Sequence, residues 1–445
     1  MKDTQRSEYV FTVQQRIAEL AWKRPEECFT ALNHYLTVDW LKVAYERVKP
    51  DSAPGVDGQI WAEYGKNLDE NLRDLLKRAK SGSYTAPPVK RVHIPKGDGQ
   101  ETRAIGMPTI EDKVLQRAIV MLLEPIYEQD FKFFSYGFRP GRSAHEALSC
   151  IWNQCTRWGI RWILEVDIRK YFDTINKTCL RQFLDRRVRD GVVRRLIGKW
   201  LAAGVWEKGQ LSYPEDGTPQ GGVVSPLLSN VYLHEVMDCW YEQEVKPRMK
   251  GKTFLVRFAD DLILGFENKE DAEKVYRVLF KRFEKYGLSL HPEKTRLVPF
   301  GRPEEATEPK PHGHKPGTFD FLGFTHYWAK NRKGQWIIRR KTMHKRLTRG
   351  LKAISQWCRK NRHEPMRTQT EVLGRKLKGH FGYYGITGNF ASLQRFREGV
   401  IRIWRKWLAR RGDPQGMPWA RMNRLLQFFY IPEARVVHSI YAAKP

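Results

Sequence analysis

The sequence predicts an α+β fold that ends in a basic helical module. Strand and helix patterns are intermixed without a regular βαβ repeat or an internal duplication. Apolar residues make up 41% of the 445 residues, enough for two or three domains with substantial cores. Residues 1–50 have a helical pattern, and the composition changes after about residue 330, where a basic helical region begins.

The first hundred residues carry two helical patterns and then a hairpin pattern. Apolar spacing and the positions of Pro and Gly indicate the elements. In chain order they are helices over Val13–Ala21 and Trp40–Val48, a turn-rich break at Ser52–Gly58, strands over Val89–Pro95 and Arg103–Ile105, and a turn over Lys96–Gln100 between the two strands.

Three helix starts follow from capping signals. Thr109 begins a helix that runs through Leu123, with Asp112 three residues on as a variant of the capping box. Ser143 and Glu146 form a second capping box directly after a glycine-rich turn. Ser225 followed by Pro226 indicates a third start, with Ser as the N-cap and Pro at the first helical position.

Two segments place carboxylates beside apolar strands. Trp162–Val166 is typical of a buried strand, and Asp167 comes at its end. Phe254–Phe266 has two apolar arms around Ala-Asp-Asp, which predicts a hairpin with Asp260 and Asp261 at its tip. Like charges in such a place are unfavourable unless a divalent cation neutralises them, and oxygen ligands suit Mg²⁺. The alternative is an exposed turn, which Asp also favours.

The charge of the chain points to a polyanionic partner. The net charge is +29, and the 71 residues from Lys341 to Arg411 hold 19 Lys and Arg against 3 acidic residues. Leu, Phe and Trp recur there at helical spacing, which indicates helices with an apolar face. Nucleic acid would neutralise this charge with release of counterions. A basic surface without a ligand is the alternative.

Three motifs occur in the order found in reverse transcriptases. Phe258–Asp261 resembles the aromatic-Ala-Asp-Asp hairpin of that family, Asp167 with Phe172 resembles its other metal-binding motif, and Thr218–Pro226 resembles the segment beneath the incoming nucleotide. The likeness runs from Ala53 to Arg411 and is greatest to group II intron-encoded reverse transcriptases, or maturases. It implies a right-hand polymerase architecture with a helical N-terminal extension over 1–60, fingers and palm over 61–330, a helical thumb, called domain X, over 331–411 and a short tail over 412–445.

The resemblance also implies roles for individual residues. Asp167 and Asp260 would bind two Mg²⁺ ions, or Mn²⁺ in their place, with the Ile168 carbonyl assisting and Asp261 as supporting carboxylate. The Phe172 ring would exclude a ribose 2′-hydroxyl. The implied nucleotide-binding set is Lys96, Arg103, Arg139, Phe172, Gln220, Gly221 and Lys294, and the implied primer grip is Phe321, Leu322, Gly323 and Phe324.

Several of these residues have simpler alternatives. Lys96 and Arg103 would also suit a solvated surface, and Phe172 a core position. Arg139 would also suit a helix-start turn without any ligand contact. The Gln220-Gly221 pair and the Phe321–Phe324 segment could each be an ordinary turn. For Lys294, duty as a general acid is a weaker inference than proximity to the nucleotide.

The resemblance further implies partners and a biological setting. The expected partners are an RNA template, intron RNA, a DNA primer or target and dNTPs. The Cys pairs and His-rich pattern of an HNH endonuclease are absent after the thumb-like segment, so we expect no target cleavage. Scattered cysteines and the lack of a signal or spanning segment predict a soluble cytoplasmic protein without membrane attachment. Two alternatives remain: a domesticated enzyme of DNA repair or phage defence, and a maturase that only assists splicing.

Overall fold

The fold is a mixed α+β architecture, as predicted. A computed structural model describes residues 3–96, 101–213, 215, 217, 221–303, 317–412 and 416–440. Within these residues eleven strands form three sheets. The strands are β1 Val89–Lys96, β2 Glu101–Met107, β3 Trp162–Val166, β4 Val205–Glu207, β5 Gln210–Ser212, β6 Thr253–Phe258, β7 Asp261–Phe266, β8 Arg296–Pro299, β9 Phe319–Phe321, β10 Phe324–Lys330 and β11 Trp336–Thr342.

Helices surround these sheets and make up the C-terminal region. They are α1 Asp3–Lys23, α2 Val38–Glu46, α3 Trp61–Tyr64, α4 Leu68–Ser81, α5 Ile110–Asp130, α6 Ala144–Arg157, α7 Tyr171–Thr174, α8 Lys177–Arg187, α9 Gly191–Leu201, α10 Ser225–Leu233, α11 Lys269–Glu284, α12 His344–Lys360, α13 Met366–Tyr384, α14 Phe390–Leu408 and α15 Trp419–Phe428. Between α10 and β6 the chain has π-helical hydrogen bonding at 234–238 and 241–245.

The N-terminal helices form where the apolar spacing predicts them. Both α1 and α2 pack against α5, whose interior residues are almost all buried. Trp40 of α2 is fully buried, and its indole N–H donates to the Ala118 carbonyl of α5 at 3.0 Å. The N-terminal segment therefore belongs to the same apolar core as α5 and the strands β3, β6 and β7.

The predicted first hairpin is present. β1 and β2 pair antiparallel, with Ile94 opposite Arg103, and β4 joins β1 in parallel to extend the sheet. The expected turn at 96–100 falls almost entirely outside the described residues, as does the side chain of Lys96.

The carboxylate-bearing segments lie in the second sheet, whose strand order is β6-β7-β3-β8. All of its neighbours pair antiparallel. β3 and β7 are the interior strands, nearly all of their residues are buried, and α11 packs against β3, β7 and β8. The ends of β3 and β7 therefore meet at one edge of a well-buried sheet.

The third sheet links this region to the C-terminal helices. β10 pairs with β9 and β11, and the predicted boundary at 330/331 falls at the tip of the β10–β11 hairpin. The helical part begins at His344, where α12 and α13 pack on α14 around an apolar core. Met422 and Ile431 of the expected tail belong to that core. Among the described residues, no helix has the length and apolar character to cross a membrane.

The capping predictions are confirmed in part. Ser143 and Glu146 make both halves of the capping box of α6. Thr109 caps α5, but the Asp112 side chain points inward and accepts from Tyr84 Oη and Trp200 Nε1, each at 2.6 Å, instead of returning to the cap. The N-cap of α10 is Val224 and Ser225 is the first helical residue, so the predicted N-cap role of Ser225 is wrong.

Candidate active site

Asp167 lies directly after β3, where three backbone contacts fix it. Its N–H donates to Thr295 Oγ1 at 3.2 Å, and its carbonyl accepts from the His291 N–H at 2.8 Å. The next residue, Ile168, makes an antiparallel bridge to Leu290. The side chain stays 40% exposed, and its carboxylate lies 3.6 Å from the Lys294 ammonium. The carboxylate is thus held on a rigid backbone but is open to a ligand.

Asp260 and Asp261 occupy the turn of the β6–β7 hairpin. Phe258 pairs with Asp261, leaving Ala259 and Asp260 as the two turn residues. Ala259 has a positive φ of 55°, a conformation that L-residues other than Gly, Asn and Asp seldom adopt. The tight turn therefore sets two consecutive carboxylates at the tip of the hairpin, as the sequence predicts.

Strand register brings Asp167 to the same edge. Val166 lies opposite Leu262, which places the position of Asp167 across from that of Asp261 on the neighbouring strand. The pKa of Asp261 is raised to about 7, first because the surrounding protein removes hydration, and then because Asp260 and Asp167 lie close with like charge. Arg346 and Arg103 oppose this shift. The Asp261 side chain is exposed to the cleft. The walls of the cleft nevertheless limit its hydration, and charged neighbours on several sides shift its pKa.

The donor set fits Mg²⁺ shared with a substrate. Among the described residues, no group of three or more His, Cys, Asp and Glu side chains could hold a metal ion by itself. Polymerase-type Mg²⁺ sites use one or two carboxylates and take the remaining oxygens from substrate phosphates and water. The electrostatic conflict at Asp261 is one that a divalent cation removes.

The edge opens into a cleft of about 510 Å³ that also contains the predicted primer-grip turn. Leu322 and Gly323, with φ of 49° and 81°, form a two-residue turn between Phe321 and Phe324, which pair. A positive φ at both turn positions is typical of a type I′ turn. Phe321, Leu322 and Gly323 line the cleft with Asp167 and Asp261. Phe324 is buried beneath them.

Lys294 and Arg103 are near the carboxylates. Lys294 lines the cleft and contacts Asp167, and Arg103 on β2 is close enough to influence the pKa of Asp261. Gly221, with φ of 114°, lies against β2: an added Cβ would meet the Gly106 carbonyl oxygen at 2.3 Å. Glycine is therefore required for this close approach. Gln220 lies outside the described residues.

Phe172 and Arg139 are placed differently from each other. Phe172, on α7, is 9% exposed and packs edge-on to Tyr171 in the main core, with its carbonyl beneath Gly217. The prediction that Arg139 faces a template or nucleotide is wrong. Its guanidinium is buried, pairs with Glu128 and donates to the Lys132 and Ser135 carbonyls at 2.8 Å each. The capping-turn alternative describes it better, because each nitrogen already has a partner inside the protein.

Two further groups were missed at the level of sequence. Lys345 and Arg346, at the start of α12, line the same cleft, although in the sequence they stand out only as part of a basic region. Arg257, in the middle of β6, is fully buried. A single Arg within an apolar strand is a visible signal, but its partner Asp238 lies 19 residues earlier and cannot be chosen from spacing alone.

Comparisons with known proteins agree with this geometry. Residues 94–326, more than half of the chain, match the family described as reverse transcriptase (RNA-dependent DNA polymerase). Group II intron-encoded protein LtrA of Lactococcus lactis subsp. cremoris is 36% identical over 223 residues, which is 50% of this chain and 37% of LtrA. Protein YkfC of Escherichia coli K12 is 41% identical over 185 residues, 41% of this chain and 48% of YkfC.

A yeast relative extends the match. The putative COX1/OXI3 intron 1 protein of Saccharomyces cerevisiae is 29% identical over 312 residues, 59% of this chain and 37% of that protein. The chain thus spans less than half the length of each of these three relatives. Family match and carboxylate edge agree: the chain belongs to the reverse transcriptase family, and its relatives include group II intron-encoded proteins.

Proposed function

We propose that this chain is an RNA-directed DNA polymerase that extends a DNA primer on an RNA template with dNTPs by two-metal-ion nucleotidyl transfer. The observation that carries the proposal is the strand register, which brings Asp167 to the same sheet edge as the hairpin tip that holds Asp260 and Asp261. When bound, the divalent ions would favour ionisation of the primer 3′-hydroxyl and neutralise charge on the triphosphate.

The protein groups around the edge have separable tasks in this proposal. Asp167 and Asp260 are the metal ligands, with the Ile168 carbonyl assisting and Asp261 supporting them. Arg103 and Lys96 bind the triphosphate, for which a guanidinium fork is well suited. Lys294 contacts Asp167 in the ligand-free protein and is available to a phosphate oxygen once a metal occupies that carboxylate. Leu322 and Gly323 present the primer end to the carboxylates.

The helical region supplies the grip on nucleic acid. Lys345 and Arg346 extend its positive charge into the cleft. A cationic helical surface can hold an RNA–DNA duplex through its phosphates and A-form shape without reading sequence. In this proposal 61–330 are fingers and palm, 331–411 are thumb, and the chain acts in the cytosol, where it also binds intron RNA to assist splicing and retrohoming.

The Asp260→Ala variant tests the catalytic part of the proposal. Loss of a metal-binding carboxylate removes several kcal/mol of transition-state stabilisation, so dNTP incorporation should fall at least about 10³-fold. RNA affinity should stay within about threefold, because the phosphate-binding cations are unchanged. Primer extension and filter binding on one RNA template measure the two quantities.

A matched control is Glu273→Ala on α11, which removes an exposed carboxylate outside the cleft. Both activities should survive in that variant. Equal losses of incorporation and RNA binding in Asp260→Ala would show that the hairpin tip is structural, and wild-type protein without Mg²⁺-dependent extension would leave splicing assistance as the function.

The nucleotide-selecting role proposed for Phe172 has its own test. Replacing this ring with Ala opens space where a ribose 2′-hydroxyl would lie. We expect Phe172→Ala to raise ribonucleotide incorporation relative to dNTPs by at least about tenfold, a scale typical of pocket contacts of this size. Unchanged discrimination, measured with matched rNTP and dNTP series, would assign Phe172 to the core alone.

A further inference from the structure

Arg257 is an ion buried where apolar residues are expected. It lies in β6, three residues before Asp260, and its side chain is 0% exposed, as is that of its partner Asp238. The guanidinium donates from Nε to Asp238 Oδ1 at 2.8 Å and from a terminal nitrogen to Asp238 Oδ2 at 2.5 Å. Asp238 closes the π-helical segment 234–238. Such segments often occur where a helix is adapted to a functional site.

The remaining nitrogen of Arg257 reaches the turn of the carboxylate hairpin. It donates to the Ala259 carbonyl at 3.2 Å and to Asn230 Oδ1 at 2.9 Å. Ala259 is the turn residue with positive φ, and Asp260 follows it directly. The guanidinium thus connects a fixed point of the core to the peptide that carries the carboxylate.

A loop holds the same turn from the other side. Asn230 Nδ2 donates to the Gly137 carbonyl at 2.8 Å, and an added Cβ at Gly137 would meet the Ala259 nitrogen at 2.2 Å. The neighbouring loop residues pair with Arg257 itself, through its N–H to the Phe134 carbonyl at 2.9 Å and through the Tyr136 N–H to its carbonyl at 2.8 Å. The strained turn therefore lies between the Arg257 side chain and the backbone of the loop at Gly137.

From this geometry we propose that Arg257, Asp238, Asn230 and Gly137 form a clamp that positions Asp260 and Asp261 for metal binding. The inference rests on the proposed function, because only that function requires the carboxylates to bind metal ions together. A buried ion pair contributes little stability compared with well-packed apolar residues, whereas it fixes directions in space. Mg²⁺ tolerates little deviation from octahedral geometry, and a shift of about 1 Å at a reacting centre costs on the order of 10²-fold in rate.

The Arg257→Lys variant tests the clamp. Lysine keeps the charge but cannot reach Asp238, Asn230 and Ala259 at once, because it lacks the planar fork. We expect the kcat of dNTP incorporation to fall about 10- to 100-fold, with RNA affinity unchanged and with a several-fold weaker affinity for Mn²⁺, measured by electron paramagnetic resonance. Amide hydrogen exchange in the metal-free protein should be at least about tenfold faster in the peptide spanning 258–261.

Arg187→Lys is the matched control. Arg187 also forms a buried pair, with Asp130 at 2.8 Å, but it touches neither the hairpin nor the cleft. The Arg187→Lys variant should lower the thermal midpoint by about as much as Arg257→Lys does, while leaving amide exchange at 258–261 and the kcat unchanged. If Arg257→Lys behaves like this control, the clamp is overturned and the pair is structural.

Asn230→Ser serves where Arg257→Lys does not fold, because it removes the links to Gly137 and Arg257 with a smaller change. Faster exchange at 258–261 supports the clamp, and unchanged exchange overturns it. The exchange measurement needs no turnover, so it judges the clamp even if the wild-type protein fails to polymerise. If the wild type polymerises and exchange at 258–261 is unchanged in Arg257→Lys, the clamp is refuted. The proposed polymerase activity then stands.

Discussion

The carboxylate-bearing sheet and the C-terminal helices differ in whether they bury charged side chains. Around the sheet, ionisable groups are buried in pairs and networks, such as Arg257 with Asp238 and Asn230. From His344 to Leu408, a span that the structure describes completely, no charged side chain is buried. The polar residues buried there are neutral: Gln369, Thr370, Asn389 and Ser392.

The proposed function would account for this difference through what each region binds. Carboxylates that share metal ions need fixed directions, which directional bonds to buried charges supply. A surface that grips phosphates needs hydrated, mobile cations whose counterions are released on binding. The helices therefore rely on an apolar interior for stability and leave their cations on the outside.

The largest expected effect tests that apolar interior. Trp404 is fully buried, and its indole donates to Gln369 Oε1 at 2.8 Å. Trp404→Ala should lower the free energy of unfolding by about 3–5 kcal/mol through lost packing and an unpaired amide oxygen. Trp419→Ala, at a 44% exposed site, should cost less than about 1 kcal/mol. Urea unfolding followed by circular dichroism compares them, and equal costs would break the contrast.

The next effect is the loss of folding stability in acid, to which a buried histidine in each region contributes. The pKa of His234 is lowered from 6.5 to about 4, first because burial disfavours the imidazolium. The folded pKa lies below the unfolded one, so this contribution is complete above about pH 6.5 and is lost as pH falls towards 4. The lowered pKa corresponds to about 3 kcal/mol.

His234→Gln isolates that contribution. The loss of stability between pH 7 and pH 4.5 should be smaller in the variant than in the wild type. His380, which stacks on Phe396 at 3.7 Å in the helical region and whose pKa is also lowered to about 4, remains in both proteins. Asp112 acts in the opposite direction, because its pKa is raised to about 6 and its buried carboxyl becomes neutral below that pH. Identical pH profiles would show that His234 does not limit acid stability.

The smallest effect tests the exposed cations. Replacing Lys345 and Arg346 together with Gln should weaken binding of an RNA–DNA duplex by about tenfold at moderate salt. The slope of log affinity against log salt should become shallower by up to about 1.5, since each phosphate contact contributes about 0.7–0.9. Thermal stability should be unchanged. An unaltered slope, determined by titration at four salt concentrations, would place the duplex elsewhere.

Local patterns predicted most elements of the fold. The apolar spacing of α1 and α2, the capping box of α6 and the two-residue turn between β6 and β7 are all encoded within a few residues. Two of the errors arose where a side chain had a partner on another element. Asp112 turns away from its helix cap because Tyr84 and Trp200 lie beneath it. Arg139 turns inward because Glu128, on the preceding helix, pairs with it.

The candidate site divides in the same way. The family motifs identified Asp167, Asp260 and Asp261, and the register of β3 with β7 brings Asp167 and Asp261 to one edge. The support of that edge could not be foreseen, because Asp238 and Asn230 meet Arg257 only after the chain has folded back across α10. Arg346 also reaches the cleft only through tertiary folding, since the sequence shows it as one cation among 19.

The turn at Leu322 and Gly323 joins the two regions mechanically. Tyr383 Oη of α13 donates to the Leu322 carbonyl at 2.8 Å, and the Met343 N–H, just before α12, donates to the Gly323 carbonyl at 3.0 Å. If the helices hold an RNA–DNA duplex, as proposed above, a tilt of these helices around a wider or narrower duplex would pull on the peptide beside the carboxylate edge. Through these two hydrogen bonds, a misshapen duplex would then slow synthesis without contacting an acidic side chain.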